Sequence, residues 1–207
     1  MRNIKNKIWA QVFIIYTRYL IGATFVFASL IKIKGHRFTR ESGAGNPINS
    51  AWHFFETMYQ SGLYWKFIGF GQLIAGLFLM TQKYAKLGAV MFFPIIANIF
   101  VITLSYDFNY TPVITGLMLL ANLLLLIWDW EELKILFNLT PIIDEKKRLE
   151  HDKIWQVIGL LLFLFTFLYR LVINEYNIFL WFGVCLLIGF SGLIIGLLRN
   201  KKQEIQS

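Results

Sequence analysis

Long apolar runs broken by short polar stretches set the pattern of this chain. A helix that crosses a bilayer needs about 20 mostly apolar residues. Six runs reach that length, at residues 8–33, 62–81, 86–105, 112–129, 154–173 and 177–198. The pattern predicts an all-α, polytopic membrane helix bundle with both chain ends on one side. The first run follows Arg2, Lys5 and Lys7 as a signal peptide would, but it is too long for one and reads as a retained span.

Residues three and four apart share a helix face, so each span can be read for its polar stripe. The first carries Arg18, Gly22, Phe25, Ser29 and Lys32, and the second Gly69, Gln72 and Gly76. The third carries Met91, Pro94 and Asn98, and the fourth Thr111, Thr115, Met118 and Asn122, with Asp129 at its end. Spans five and six hold fewer polar groups, and the line Cys185, Gly189, Gly192 and Gly196 reads as close helix packing. The chemistry is therefore expected in residues 1–130, followed by a solvated connector at 131–153, a two-helix extension at 154–198 and a tail at 199–207.

Arg18 is the most informative single residue, because a cation inside an apolar span costs roughly 2.5–3.5 kcal/mol on insertion scales. It has two readings. In one, Arg18 faces Gln72, Asn98 and Asn122 across a seam that binds a ligand, with Ser29 and Lys32 further along. In the other, residues 4–15 form an interfacial helix and Arg18 snorkels to the nearby surface.

Between the first two spans lies a polar, glycine-rich stretch (41–47) and then an amphipathic one. Ser50 is placed to cap a short helix near 50–60, with Trp52, Phe55 and Tyr59 on one face, His53 and Glu56 beside them, and Gly62 at its end. Trp52, His53 and Glu56 make this loop a candidate partner surface lying flat on the membrane.

Charge adds an orientation. Of the 20 Lys and Arg residues, three lie in the N-terminal tail, two in the turn at 82–86, five in the 130–153 connector and three in the C-terminal tail. The positive-inside rule then puts both tails in the cytoplasm. Lys32, Lys34, Arg37 and Arg40 break the rule, either as a tolerated exception or because they face an anionic ligand or lipid headgroup. Tryptophans 9, 65, 128, 130, 155 and 181 fall near span ends, as interfacial rings do. The basic residues form no continuous face, so nucleic acid is not an expected partner. One cysteine, Cys185, excludes an internal disulfide or Cys-x-x-Cys centre. The three histidines sit in loops, and no metal cluster, nucleophile elbow or phosphate loop is present in the sequence. No catalytic or metal-ligating residue is assigned.

The segment RYLIGATFVFASLIK has Arg, a Gly four residues later, and an apolar run closed by Lys. GFGQLIAGLFLMTQKYAKLGAVMFFPIIANIFVIT places a small-residue helix before a short basic turn and a helix with a mid-span polar position. Over residues 12–130 these resemble the DoxX-like membrane proteins, and distantly the small subunit of thiosulfate:quinone oxidoreductase. The resemblance implies a four-helix bundle in the bacterial cytoplasmic (inner) membrane with both ends inside, and it maps Arg18, Gly22, Lys32, Gln72 and Asn98 onto the family's pattern. Gln72 departs from that pattern, where an acid is common. Spans five and six lie outside the four-helix core.

The resulting expectation is an accessory subunit of a redox or quinone-linked system that binds a quinone or lipid headgroup. Membrane lipid and an oxidoreductase or other membrane protein are the expected partners, with quinone as the possible cofactor. The alternatives are an assembly or cargo-binding membrane protein and, ranked below it, a small-solute transporter, since no inverted repeat or set of broken helices is evident.

Overall fold

A computed structural model describes residues 2–39, 41–142, 148–175 and 177–206, with side chains from Ile4 to Lys201. The described residues form helices α1 (Arg2–Lys5), α2 (Ile8–Ile33), α3 (Ala51–Gln60), α4 (Leu63–Met80), α5 (Ala85–Ser105), α6 (Thr111–Trp128), α7 (Trp130–Leu133), α8 (Lys153–Val172) and α9 (Ile178–Gln206). Two 3₁₀ turns, Lys134–Phe137 and Leu149–His151, complete the order, and no strand occurs among them. Six of these helices are long and apolar enough to span a bilayer: α2, α4, α5, α6, α8 and α9. The chain is a multi-pass helical membrane bundle. We call the side of both chain ends the tail face and the side of residues 34–62 the loop face.

Helix α2 is the central post. In its apolar window 67% of residues are buried, against 17–44% in the other five spans. One core cluster joins Ile15, Tyr19, Val26 and Leu30 of α2 to Trp155, Ile158 and Leu162 of α8. A second joins Ile14, Ile21 and Phe25 to α4, α5 and α6, with the Phe25 and Phe92 rings stacked at 3.6 Å. Small residues let α2 and its neighbours touch through backbone. A Cβ on Gly76 would lie 2.7 Å from the Gly22 carbonyl oxygen, and one on Gly159 would lie 1.7 Å from that of Met80. Tyr19 donates its hydroxyl to the Trp155 carbonyl. The two-helix extension is thus packed into the bundle, not appended to it.

At the loop face α2 ends where Gly35 turns left-handed (φ +71°) and the His36 amide reaches back to the Ile31 carbonyl. The expected loop helix forms as α3, with Ser50 accepting a hydrogen bond from the His53 amide. Gly62 (φ +60°) starts the turn into α4. Trp52 and Phe55 pack on Phe108, while the Tyr59 ring lies beneath Arg37.

The connector differs from expectation. Where a solvated stretch was predicted, α7 and the turn after it leave Ile135, Leu136, Phe137, Leu139 and Ile142 exposed at the tail face. Glu131 and Glu132 are neutralised by Lys134 and Lys86. This composition is that of an element lying in the membrane interface. The alternating charges at 144–147 lie outside the described residues.

Candidate functional site

Two polar centres sit at different levels along α2, one around Arg18 and one around Lys32 near its end. The tail-face centre is built on Arg18, which is 1% exposed. Its Nη2 meets Asp129 Oδ2 at 2.7 Å, and its Nη1 contacts Glu150 and, at 3.0 Å, Gln82 Oε1. Asp129 caps α6, Gln82 follows α4, and Glu150 lies in the 3₁₀ turn before α8. Arg148 approaches both carboxylates, at 3.8 Å from Asp129 and 3.5 Å from Glu150. Lys5 is buried over the Trp128 ring.

This geometry corrects the predicted seam. Arg18 is level with the ends of α4 and α6, where it meets Gln82 and Asp129. It faces carboxylates instead of Gln72, Asn98 and Asn122. Neither sequence reading holds unchanged, since the guanidinium is enclosed by protein and paired with carboxylates. Two acids on one guanidinium offset its charge where an amide could not. Burial, helped by the neighbouring Glu150 charge, raises the Asp129 carboxyl above its usual range against the pull of Arg18. Burial would also raise Glu150, but Arg18 and Arg148 outweigh it and hold that carboxyl below its usual range.

The amides have separate fates. Asn122 donates to the Ala89 carbonyl at 3.2 Å and so ties α6 to α5. Asn98 is exposed on α5 and takes no part in a buried site. Gln72 is buried on α4, and its Oε1 has no hydrogen-bond partner.

The loop-face centre holds Ser29 and Lys32 from α2 beside Gly69 of α4, with Gln72 one turn further along. Ser29 donates to the Val26 carbonyl. Lys32 is 7% exposed, donates to the Ala28 carbonyl at 3.0 Å, and lies over the rings of Trp65 (5.1 Å) and Phe38 (5.5 Å). Among the described residues no carboxylate pairs with it.

In the loop, Glu56 is the organising acid. It accepts from Arg37 through Nε and Nη2, from the Gly43 amide at 3.1 Å and from Gln60. The Arg37 bonds hold its carboxyl down at about 2. Glu56 is therefore structural. Trp52 remains 38% exposed beside Phe108, and His53 keeps an unpartnered, buried Nδ1.

A cavity of about 250 Å³ lies between α2, α8 and α9. It is lined by aliphatic and aromatic side chains, among them Tyr16, Tyr19, Trp181 and Phe190, with Cys185 at its wall. Sequence reasoning placed the chemistry in residues 1–130 and missed this groove, as it missed Glu150 and Arg148. Glycine spacing at 189, 192 and 196 gave a partial signal: Gly192 and Gly196 do pack tightly on Ile158 and Trp155. A second hollow of about 140 Å³ lies at the loop face, lined by Ile31, Lys34, His36, Arg170 and Asn174.

Among known proteins, the chain is 38% identical over 103 residues to the uncharacterized protein YwoB of Bacillus subtilis (strain 168). That stretch is 49% of this chain and 64% of YwoB, so the chain spans less than two thirds of that relative. No protein-family model and no solved structure matches the chain.

Proposed function

We propose that this protein is a non-catalytic membrane subunit of the DoxX-like type that holds a lipid-soluble ligand, a quinone or a lipid, for a redox-linked partner. The observation carrying the ligand is the groove between α2, α8 and α9. A cavity of about 250 Å³ walled by apolar and aromatic groups suits a ring or chain already dissolved in the bilayer. Leu20, Phe182, Leu186 and Phe190 are exposed at its margin, so entry runs sideways from lipid. The redox-linked partner and the bacterial inner membrane, with both tails cytoplasmic, come from the resemblance of residues 12–130 and from the charge pattern.

The test is to purify the protein in mild detergent and measure extracted quinones and lipids by mass spectrometry. Cys185→Phe fills the groove, while Cys185→Ala leaves it open. Specific ligand is expected to fall by about tenfold in the first variant, equivalent to about 1.4 kcal/mol of lost contact, and to persist in the second. Extracts that match bulk membrane lipid in the wild-type chain, or undiminished ligand in Cys185→Phe, overturn the reading.

An assembly or cargo-binding role is the second reading, favoured by the loop-face surface on which Trp52, Ile48, Leu63, Tyr64 and Tyr110 are exposed. A photo-crosslinker at Trp52 that captures only lipid removes it. Anion transport ranks lower, because Asp129 and Glu150 already occupy Arg18, the cation such a solute would need.

A further inference from the structure

Helix α5 packs on α4 and α6 along one face. Phe92, Ile96 and Thr103 are buried there, while Phe100 packs on Gly116 of α6 and Ile95 on Gly71 of α4. The opposite face carries Leu87, Met91, Pro94, Asn98, Val101 and Ser105, all exposed or half-buried. Their spacing alternates between four and three residues, the repeat of a helix that packs against a second helix along its whole length.

Asn98 is out of place on that face unless something covers it. Helix α5 has 21 residues, roughly 30 Å at 1.5 Å per residue, which matches the hydrocarbon core of a bilayer. Asn98 lies about 10 Å from its C-terminal end, too deep for so short a side chain to reach the headgroups. Among the described residues its carboxamide has no hydrogen-bond partner. Acyl chains offer it neither donor nor acceptor. The other mid-span carboxamides are protected: Gln72 and Asn122 are buried, and Asn122 donates to the Ala89 carbonyl. A serine or threonine here could turn its hydroxyl onto its own helix, as Thr24 and Ser105 do. A carboxamide brings both a donor and an acceptor.

That pairing of donor and acceptor selects the occupant. A carboxamide is complementary to a second carboxamide, and a second copy of this chain brings one to the same depth whenever the two copies stand parallel in the membrane. A two-fold axis along the membrane normal places the same patch on both sides of the contact. We infer that the protein forms a two-fold dimer through this face of α5, with each copy's Asn98 donating an N–H to the other's carboxamide oxygen. Side-chain hydrogen bonds across membrane helices join them in this way. Leu87, Met91 and Val101 supply the apolar contacts above and below the pair. None of the six seam residues lines the groove between α2, α8 and α9, so dimer and ligand are independent of each other.

The test counts copies of the full chain by single-molecule photobleaching in liposomes of phosphatidylethanolamine and phosphatidylglycerol, over a series of protein-to-lipid ratios. The wild-type chain is expected to pass from one copy to two as the ratio rises. Asn98→Leu should move that transition about tenfold toward higher protein density, as expected for losing a reciprocal pair of interhelical hydrogen bonds. Its melting temperature in detergent should stay at or above that of the wild type, because Asn98 takes no part in packing within one copy. In a Cys185→Ala background, Val101→Cys should cross-link two copies on oxidation. Leu187→Cys, at a position 69% exposed on α9, should not. An unshifted transition in Asn98→Leu, or equal cross-linking at the two positions, overturns the proposal. So does a wild-type chain that stays single at every ratio, which would leave this face to a helix of another membrane protein.

Discussion

Arg18 shows what a single residue can and cannot reveal about itself. A guanidinium in an apolar run must be compensated, and that necessity was legible. Its partners were not, because Asp129 and Glu150 lie 111 and 132 positions away and each reads alone as an ordinary boundary or loop acid. Removing the cation leaves two buried carboxylates facing each other. Arg18→Met is therefore expected to destabilise the bundle by about 3–5 kcal/mol, seen as a large fall in detergent melting temperature. Melting within a degree of the wild type would show that the cluster contributes little. Glu56 carries a pH dependence of known sign. Its carboxyl falls from an ordinary 4.5 to about 2 on folding, so its contribution is complete above pH 4.5 and lost as the pH drops toward 2. Hydrogen exchange at residues 41–50, corrected for intrinsic rate, should accelerate across that window. In Glu56→Gln the loop should be open at every pH.

At the scale of elements, hydrophobic periodicity located all six spans and the Ser50-capped α3, because span length and capping are local properties. The same local reading failed on 130–142. Leu136, Phe137, Leu139 and Ile142 are too few and too interrupted to register as a span, and the charges around them suggested water. Only the fold shows that Glu131 and Glu132 are neutralised by lysines, which lowers the penalty of bringing this segment to the bilayer. A spin label at Phe137→Cys in a Cys185→Ala background is expected to meet oxygen more readily than a water-soluble nickel chelate. A label at Lys201→Cys should show the reverse order. Equal chelate access at the two sites would return the segment to water.

For the whole molecule, the division into a four-helix core and a two-helix extension is a property of sequence composition that the packing does not respect. Helix α8 lies against α2, its Gly159 seated on the Met80 backbone, and Glu150 completes the Arg18 cluster. Residues 1–142 expressed alone should not form a stable bundle, since Arg18 loses one carboxylate and the α2 face bearing Ile15, Tyr19, Val26 and Leu30 loses its cover. Size-exclusion chromatography showing a monodisperse, helical fragment would restore the four-helix core as an independent unit. Sequence alone determined the membrane setting, the number of spans and the presence of a cation that needed compensation, because each follows from the solubility of short local stretches in lipid or water. Tertiary structure decided which acids meet Arg18, that Asn98 is exposed on α5, and that an apolar cavity opens between α2, α8 and α9. Those depend on how helices far apart in the chain rotate and approach, which no local pattern of residues encodes.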